Sequence, residues 1–242
     1  MSPYAANLSH PESWFRSRAD GFNGLRALLV ATLVVLVLTT QLGGFLWFLS
    51  ERMTGTITRD NPDRPPDWAC DGDASDMTRT PFGCAEPEEE TVEVGRLFWN
   101  HASDQLFPLF IGVLLLWFLG GVAIHLLVGG LGSEGSLGQT LEVVAWSGAV
   151  ELLAVAISVA LLAVEAQSLT LSTSDPQALL FAIRSLTSGA LGLAARAVQV
   201  GGTVVQAYVL FGGLVAVHDV DRARVVMVAA LVAIVLVLSV LT

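Results

Sequence analysis

The 242-residue chain is 53% hydrophobic and 14% charged, whereas soluble domains have about 25% charged residues, which excludes an ordinary soluble protein. All 12 basic residues are Arg, and 22 acidic residues give a net charge of −10. This balance argues against binding of nucleic acid or anionic lipid, since proteins bind both through basic clusters. Such a composition is typical of a salt-loving prokaryote, although GC-rich coding produces it equally well, and both explanations favour a prokaryotic source.

Five long apolar runs dominate the chain, and each is long enough to cross a bilayer. A spanning helix needs roughly 20 apolar residues, whereas strands of a membrane barrel are shorter and alternate in polarity. The sequence therefore predicts an all-α integral membrane protein, a bundle of five transmembrane helices with one large extracytoplasmic loop. The predicted spans are 27–49, 106–128, 141–163, 197–217 and 225–241.

The N-terminal segment, residues 1–26, is polar and leads into the first span through Arg16, Arg18 and Arg26. Because arginines accumulate on cytoplasmic flanks, we expect this segment to be cytoplasmic. The first apolar run is followed by no small-residue cleavage site, so we expect it to be a retained anchor rather than a signal peptide.

The loop 50–105 is acidic, with 13 acidic residues against 5 arginines, and it holds both cysteines, Cys70 and Cys84. Two cysteines in a polar loop predict a disulfide, which requires an oxidising compartment. A metal site is the weaker alternative, because His101 and scattered carboxylates are the other ligands available. The disulfide places the loop outside the cell membrane, and five crossings then place the C-terminus outside too.

Residues 106–242 are predicted as one four-span membrane domain. Between the spans 141–163 and 197–217, Asp175 followed by Pro176 is a favourable helix start. We therefore expect 177–193 to form either an interfacial helix or an extension of the span that follows.

Glu151 lies near the middle of the span 141–163, where a carboxylate is costly. No Arg or Lys occurs at the same depth in the other spans, so Gln206 is its predicted partner. A protonated Glu151 bonded to an amide would hold two helices together by about 0.6–2 kcal/mol. The alternative is that Glu151 is a proton or cation site of a transporter or channel component.

His125, Glu142 and His218 are predicted to form a polar cluster at the inner interface. His125 and Glu142 flank a short connection between two spans, so their side chains are candidates to pair. Interfacial anchoring is the default interpretation, and a catalytic cluster is the alternative. The sequence has no zinc-protease, nucleophile-elbow or phosphate-loop motif, so we expect no enzymatic activity and no cofactor.

Two stretches carry a resemblance to a known family, "GVAIHLLVGGLGSEGSLGQTLEVVAWSGAVELL" and "QAYVLFGGLVAVHDVDRARVVMVAALVAIVL". The first has a span ending near His125, then a Gly-rich turn and Thr140-Leu141. The second has an aromatic span that ends before His218 and a last helix that starts after Arg224. Over residues 106–242 this layout resembles the Yip family of Ypt/Rab-interacting membrane proteins, in its prokaryotic branch, and Gly129, Gly130 and His125 are the most family-like positions.

The resemblance implies a five-span membrane protein with a cytosolic N-terminus that works by binding partners or organising membrane. We therefore expect a non-catalytic scaffold or adaptor that contacts the lipid bilayer and protein partners whose identity the sequence does not specify. Association with a second copy of the chain stays open. The Asp-Leu-Tyr-Gly-Pro element of the eukaryotic branch is absent, so the resemblance does not extend to GTPase binding.

Overall fold

The computed structural model describes residues 10–70, 83–129, 135–167, 171–172, 181, 184–218 and 220–241. Within these ranges it has five helices long and apolar enough to cross a membrane, which confirms the predicted all-α membrane class. Residues 173–180 and 182–183, which include the beginning of the helix expected over 177–193, lie outside the described residues, as does Gly130. The α-helices are α1 Pro11–Arg16, α2 Gly24–Arg52, α3 Asp67–Cys70, α4 Val94–Val128, α5 Leu137–Gly148, α6 Glu151–Gln167, α7 Ala190–Val217 and α8 Arg222–Leu241.

The spanning helices extend beyond the apolar runs because capping groups and strands, rather than hydropathy, determine where they begin. α2 begins at Gly24, where the side chain of Asn23 accepts a hydrogen bond from the Arg26 N–H at 2.9 Å, as N-cap residues do. α4 begins at Val94, directly after a strand. The connection between α2 and α4 is therefore shorter than the predicted loop 50–105.

The third span is interrupted, whereas the sequence predicts one continuous helix over 141–163. α5 ends at Gly148 and α6 begins at Glu151. Across the break the backbone bonds tighten, since the N–H of Val150 donates to Ser147 O and that of Leu153 donates to Val150 O. Such i→i−3 bonds mark a short 3₁₀-like turn within a helix. The interruption makes Glu151 the first residue of a half-helix.

The five spans pack as a ring, in which the two halves of the interrupted helix lie between α2 and α7. α2 packs against α4, α5 and α6, and α7 packs against α5, α6 and α8. α4 and α8 complete the ring, but these two helices touch each other only sparsely. The seam between α4 and α8 is therefore the loosest in the bundle.

The main apolar core lies at the end of the bundle that holds the N-terminal segment, which we call the N-terminal end. α1 folds back onto this end, and its Phe15 is 1% exposed. A side chain at Gly213 of α7 would collide with Phe15 and Val143, so glycine there allows α1 to pack closely. The buried core residues are Phe15, Phe22, Ile124, Val128, Val143, Val209, Leu210, Leu214, Val217, Val225 and Val228.

The opposite end, which we call the loop end, carries short strands and the disulfide. β2 (Thr56–Asp60) pairs antiparallel with β3 (Glu89–Glu93), in the register Thr56↔Glu93. β1 (Met53–Thr54) pairs in parallel with β4 (Leu171–Ser172). Cys70 and Cys84 form a disulfide with their Cα atoms 5.5 Å apart, which confirms the predicted pairing.

Candidate functional site

A cavity of about 420 Å³ lies in the middle of the bundle, within the range of roughly 300–1,000 Å³ that small-molecule sites have. All five spans contribute to its wall, which is mainly apolar with a few polar groups. The lining residues are Ala31, Val34, Val35, Leu38, Val113, Leu116, Trp117, Val144, Ala145, Gly148, Glu151, Gln199, Thr203, Gln206, Leu236 and Ser239.

Glu151 and Gln206, which the sequence predicts as partners, both line this cavity. The hydrogen bond that the structure gives Glu151 comes instead from Thr203, whose Oγ1 donates to Glu151 Oε1 over 3.4 Å. Thr203 lies one turn before Gln206 on α7 and is 3% exposed. Sequence reasoning missed this hydroxyl because Thr is common in membrane helices and shows no signal of its own.

α7 approaches Glu151 closely because Gly202 has no side chain. A Cβ at Gly202 would lie 2.5 Å from the Cβ of Ala154 and 3.3 Å from Glu151 Oε2. Further along α7, Gln199 Nε2 donates to Ser158 Oγ over 3.1 Å, and Ser158 donates to the Ala195 carbonyl over 3.1 Å. These contacts hold α6 and α7 together with their polar groups turned inward.

Trp117 is the other polar component of the cavity wall. Its Nε1–H is buried and has no hydrogen-bond partner among the described residues. A buried indole N–H normally finds an acceptor. From the sequence, Trp117 is expected to pack between helices. No sequence pattern indicates that its N–H lacks an acceptor.

His125 and His218 come together at the N-terminal end on either side of Thr140. His125 Nδ1 and His218 Nε2 each lie 2.9 Å from Thr140 Oγ1. The hydroxyl has one proton to donate, so at least one imidazole donates to it. This network belongs to the helix ends, and the mid-bundle cavity does not include it.

Glu142 is fully buried but has partners other than His125. Its carboxylate lies 2.9 Å from Arg26 Nε and accepts the backbone N–H of Asn23 over 3.0 Å. Trp146 Nε1 donates to the same carboxylate over 3.4 Å. The three residues predicted as one cluster therefore divide into a His–Thr–His network and a separate carboxylate that holds the start of α2.

The family model described as the Yip1 domain matches residues 7–242. The chain belongs to the Yip1 domain family. The match confirms the resemblance to the Yip family and extends it to the N-terminal segment, of which residues 10–26 pack against the bundle. No curated protein and no solved structure gives a significant match to the chain.

In this Yip1-domain protein, several of the described motif residues that carry the resemblance pack at the N-terminal end. Ser136 and Gln139 form a reciprocal cap at the start of α5, and Thr140 follows within the His–Thr–His network. Gly138 lies so close to the start of α2 that a Cβ there would be 2.9 Å from the Gly24 nitrogen. These residues therefore have packing and capping roles. Among the described residues, no group of three or more His, Cys, Asp and Glu side chains is placed to hold a metal ion.

Acidification is expected to destabilise the fold through His218. Burial, and secondarily the positive charge of His125, lowers the pKa of His218 to about 4 from an ordinary value of 6.5. The unfolded chain then binds the proton first, so stability falls as the pH drops from about 6.5 towards 4, by up to about 1.4 kcal/mol per pH unit. Unfolding in detergent at pH 7.5 and pH 5 measures this difference, and His218→Gln should reduce it. An unchanged pH dependence in the variant would contradict the assignment.

Proposed function

We propose that this Yip1-domain protein is a non-catalytic scaffold or adaptor of the cell membrane, which works by binding protein partners at its N-terminal end. We propose further that the N-terminus lies in the cytoplasm and the C-terminus outside the cell. Support comes from family membership over essentially the whole chain and from the way in which the N-terminal segment is held rigidly on the bundle.

The surface that we assign to partner binding is the arginine face, defined as Arg16, Arg18, Arg222 and Arg224. All four residues are exposed. Glu12 links two of them, with Arg16 at 2.7 Å and Arg222 at 3.3 Å, so the face joins α1 to the start of α8. Cationic side chains on a rigid base suit a partner with an acidic surface.

The packing of the N-terminal segment on the bundle is the observation that carries this proposal. Phe15 is buried beneath the segment, and Trp14 packs edge-on against Trp146 with ring centroids 5.5 Å apart. A segment fixed in this way presents its charges in one geometry, which reduces the entropy cost of binding.

The alternative is a transporter or channel component that uses Glu151. The cavity and the interrupted third span favour it, since transporters place sites at discontinuous helices near the midplane. Against it, the apolar core fills the N-terminal end and separates the cavity from that side. Ion or proton flux in vesicles that is lost in Glu151→Gln would favour the alternative, and equal flux with empty vesicles would count against it.

Charge reversal at the arginine face is expected to remove partners. The double variant Arg16→Glu/Arg222→Glu should lose most of the proteins that crosslink to the wild type in intact cells, because their acidic surfaces are then repelled. Arg59→Glu is the matched control, since Arg59 is also an exposed arginine paired with a glutamate, Glu90, but lies at the loop end. An identical partner set in all three proteins would contradict the proposal, as would recovery of the protein and lipid alone.

The orientation is tested by thiol labelling of intact cells. The chain has two cysteines, and both are in the disulfide. We expect an impermeant maleimide to label Cys70 and Cys84 on intact cells only after treatment with an impermeant reductant. Labelling that requires cell lysis would reverse the proposed topology.

A further inference from the structure

The geometry points to the mid-bundle cavity as a binding site for a single-chain lipid amphiphile whose head group both donates and accepts a hydrogen bond, such as a long-chain alcohol. The inference concerns the cavity alone and does not rest on the adaptor function. It follows from the wall of the cavity, from where the cavity opens, and from the polar groups inside it.

The wall is apolar enough for a hydrocarbon chain. Aliphatic and aromatic side chains from α2, α4, α5 and α8 form most of its surface, and the polar residues lie on α6 and α7 together with Trp117 and Ser239. Small-molecule sites have this pattern, with an apolar body and a few polar groups that fix orientation. An amphiphile matches both parts of such a wall, with its hydrocarbon chain against the apolar side chains and its head group at the polar ones.

The side of the cavity that faces the lipid is the seam between α4 and α8. Leu116 of α4 is 70% exposed, and Ser239 of α8 is exposed as well. The opposite walls are closed, since Ala31, Ala145 and Thr203 are all buried. Leu116 lies about 18 Å along α4 from Val128, near the middle of the hydrocarbon layer. A ligand that enters there comes from the lipid rather than from water.

The polar groups match a head group that donates and accepts. Trp117 Nε1–H has no acceptor among the described residues, so a ligand oxygen supplies one. The carboxyl group of Glu151 accepts from Thr203 and has further lone pairs for a ligand hydroxyl. Glu151 is placed there by the interruption of the third span and by the close approach of α7 at Gly202.

A photoactivatable diazirine analogue of hexadecanol tests the site on the purified full chain in detergent micelles. We expect labelled peptides to include residues 113–117, and unlabelled hexadecanol to reduce this labelling about fivefold more strongly than hexadecane, which lacks the head group. Equal competition by alcohol and alkane, or labelling spread over the lipid-facing surface, would overturn the proposal.

Two variants locate the site. Gly148→Leu fills the cavity from α5, where the nearest atom to a new Cβ is Val34 Cγ1 at 4.0 Å, and we expect it to abolish labelling of 113–117. Gly44→Leu is the matched control, because a Cβ there meets nothing within 4 Å and Gly44 does not line the cavity. Unchanged labelling in Gly148→Leu, or an equal loss in Gly44→Leu, would contradict the location.

Unlike Gly148→Leu, Trp117→Phe tests the site without adding a larger side chain to the cavity. It keeps an aromatic ring in the wall and removes an N–H that has no partner among the described residues, so the protein is expected to fold. The preference for hexadecanol over hexadecane should fall but not disappear, because the bond of the alcohol to Glu151 remains. A preference equal to that of the wild type would rule out recognition by Trp117.

Discussion

Glu142→Ala is expected to lower the free energy of unfolding by about 2–3 kcal/mol, because it leaves the Asn23 N–H and the Arg26 guanidinium without their acceptor. The carboxylate is fully buried and reaches both groups at 2.9–3.0 Å. Arg26 is partly exposed, so water compensates for some of its loss. The N–H of Asn23 at the start of α2 loses its acceptor in the variant. We therefore expect this N–H to account for more of the loss in unfolding free energy than Arg26 does.

Unfolding by denaturing detergent in mixed micelles measures this change. Glu142→Gln retains an oxygen acceptor but loses the charge, so we expect a smaller loss than for Glu142→Ala. Glu51→Ala is the control, since Glu51 is exposed near the other end of the same helix, and its stability should stay within about 0.5 kcal/mol of the wild type. Similar losses in Glu142→Ala and Glu51→Ala would contradict an anchoring role for Glu142.

Phe15→Ala is expected to release the N-terminal segment and to cost about 3–5 kcal/mol of unfolding free energy. Phe15 is the largest fully buried side chain in the part of the chain that the structure describes, and it joins α1 to the core. Its ring also packs edge-on against Phe22, with centroids 5.9 Å apart. Truncation removes these contacts and leaves a cavity beneath α1.

Limited trypsin digestion reports the release directly, because Arg16 and Arg18 lie on the segment. We expect both bonds to be cleaved faster in Phe15→Ala than in the wild type. Leu25→Ala is the matched control, since Leu25 is nearby but 70% exposed. Gly213→Val crowds Phe15 from the opposite wall and should give the same result. Cleavage at the wild-type rate in both variants would show that α1 is not held by this contact.

The sequence predicted the features that depend on local chemistry. Spanning helices follow from unbroken apolar runs, since backbone groups in hydrocarbon must be satisfied within the helix, and the five helices occur where those runs lie. The disulfide follows similarly from two cysteines in a polar loop. The start of α4 at Val94 was missed because hydropathy locates the lipid-facing part of a helix rather than its first hydrogen bond.

The sequence singled out some of the residues that line the cavity. Glu151 and Gln206 were singled out because polar groups at mid-span are rare, and both line the cavity. Thr203, Gln199 and Trp117 were not singled out, since these residue types also pack without function in membrane helices. The pairing of Glu142 with Arg26 was missed because it joins segments more than one hundred residues apart and depends on how α2 meets α5.

The sequence by itself determined that this is a five-span helical membrane protein of Yip type, with one disulfide in a polar loop. These properties depend on how each segment partitions between lipid and water. Only the tertiary structure decided that the third span breaks before Glu151, that the N-terminal segment packs on one end of the bundle, and that a cavity lined by all five spans lies between the helices. Those features depend on which helix faces meet, because packing gaps and buried ion pairs arise between segments that lie far apart in the chain.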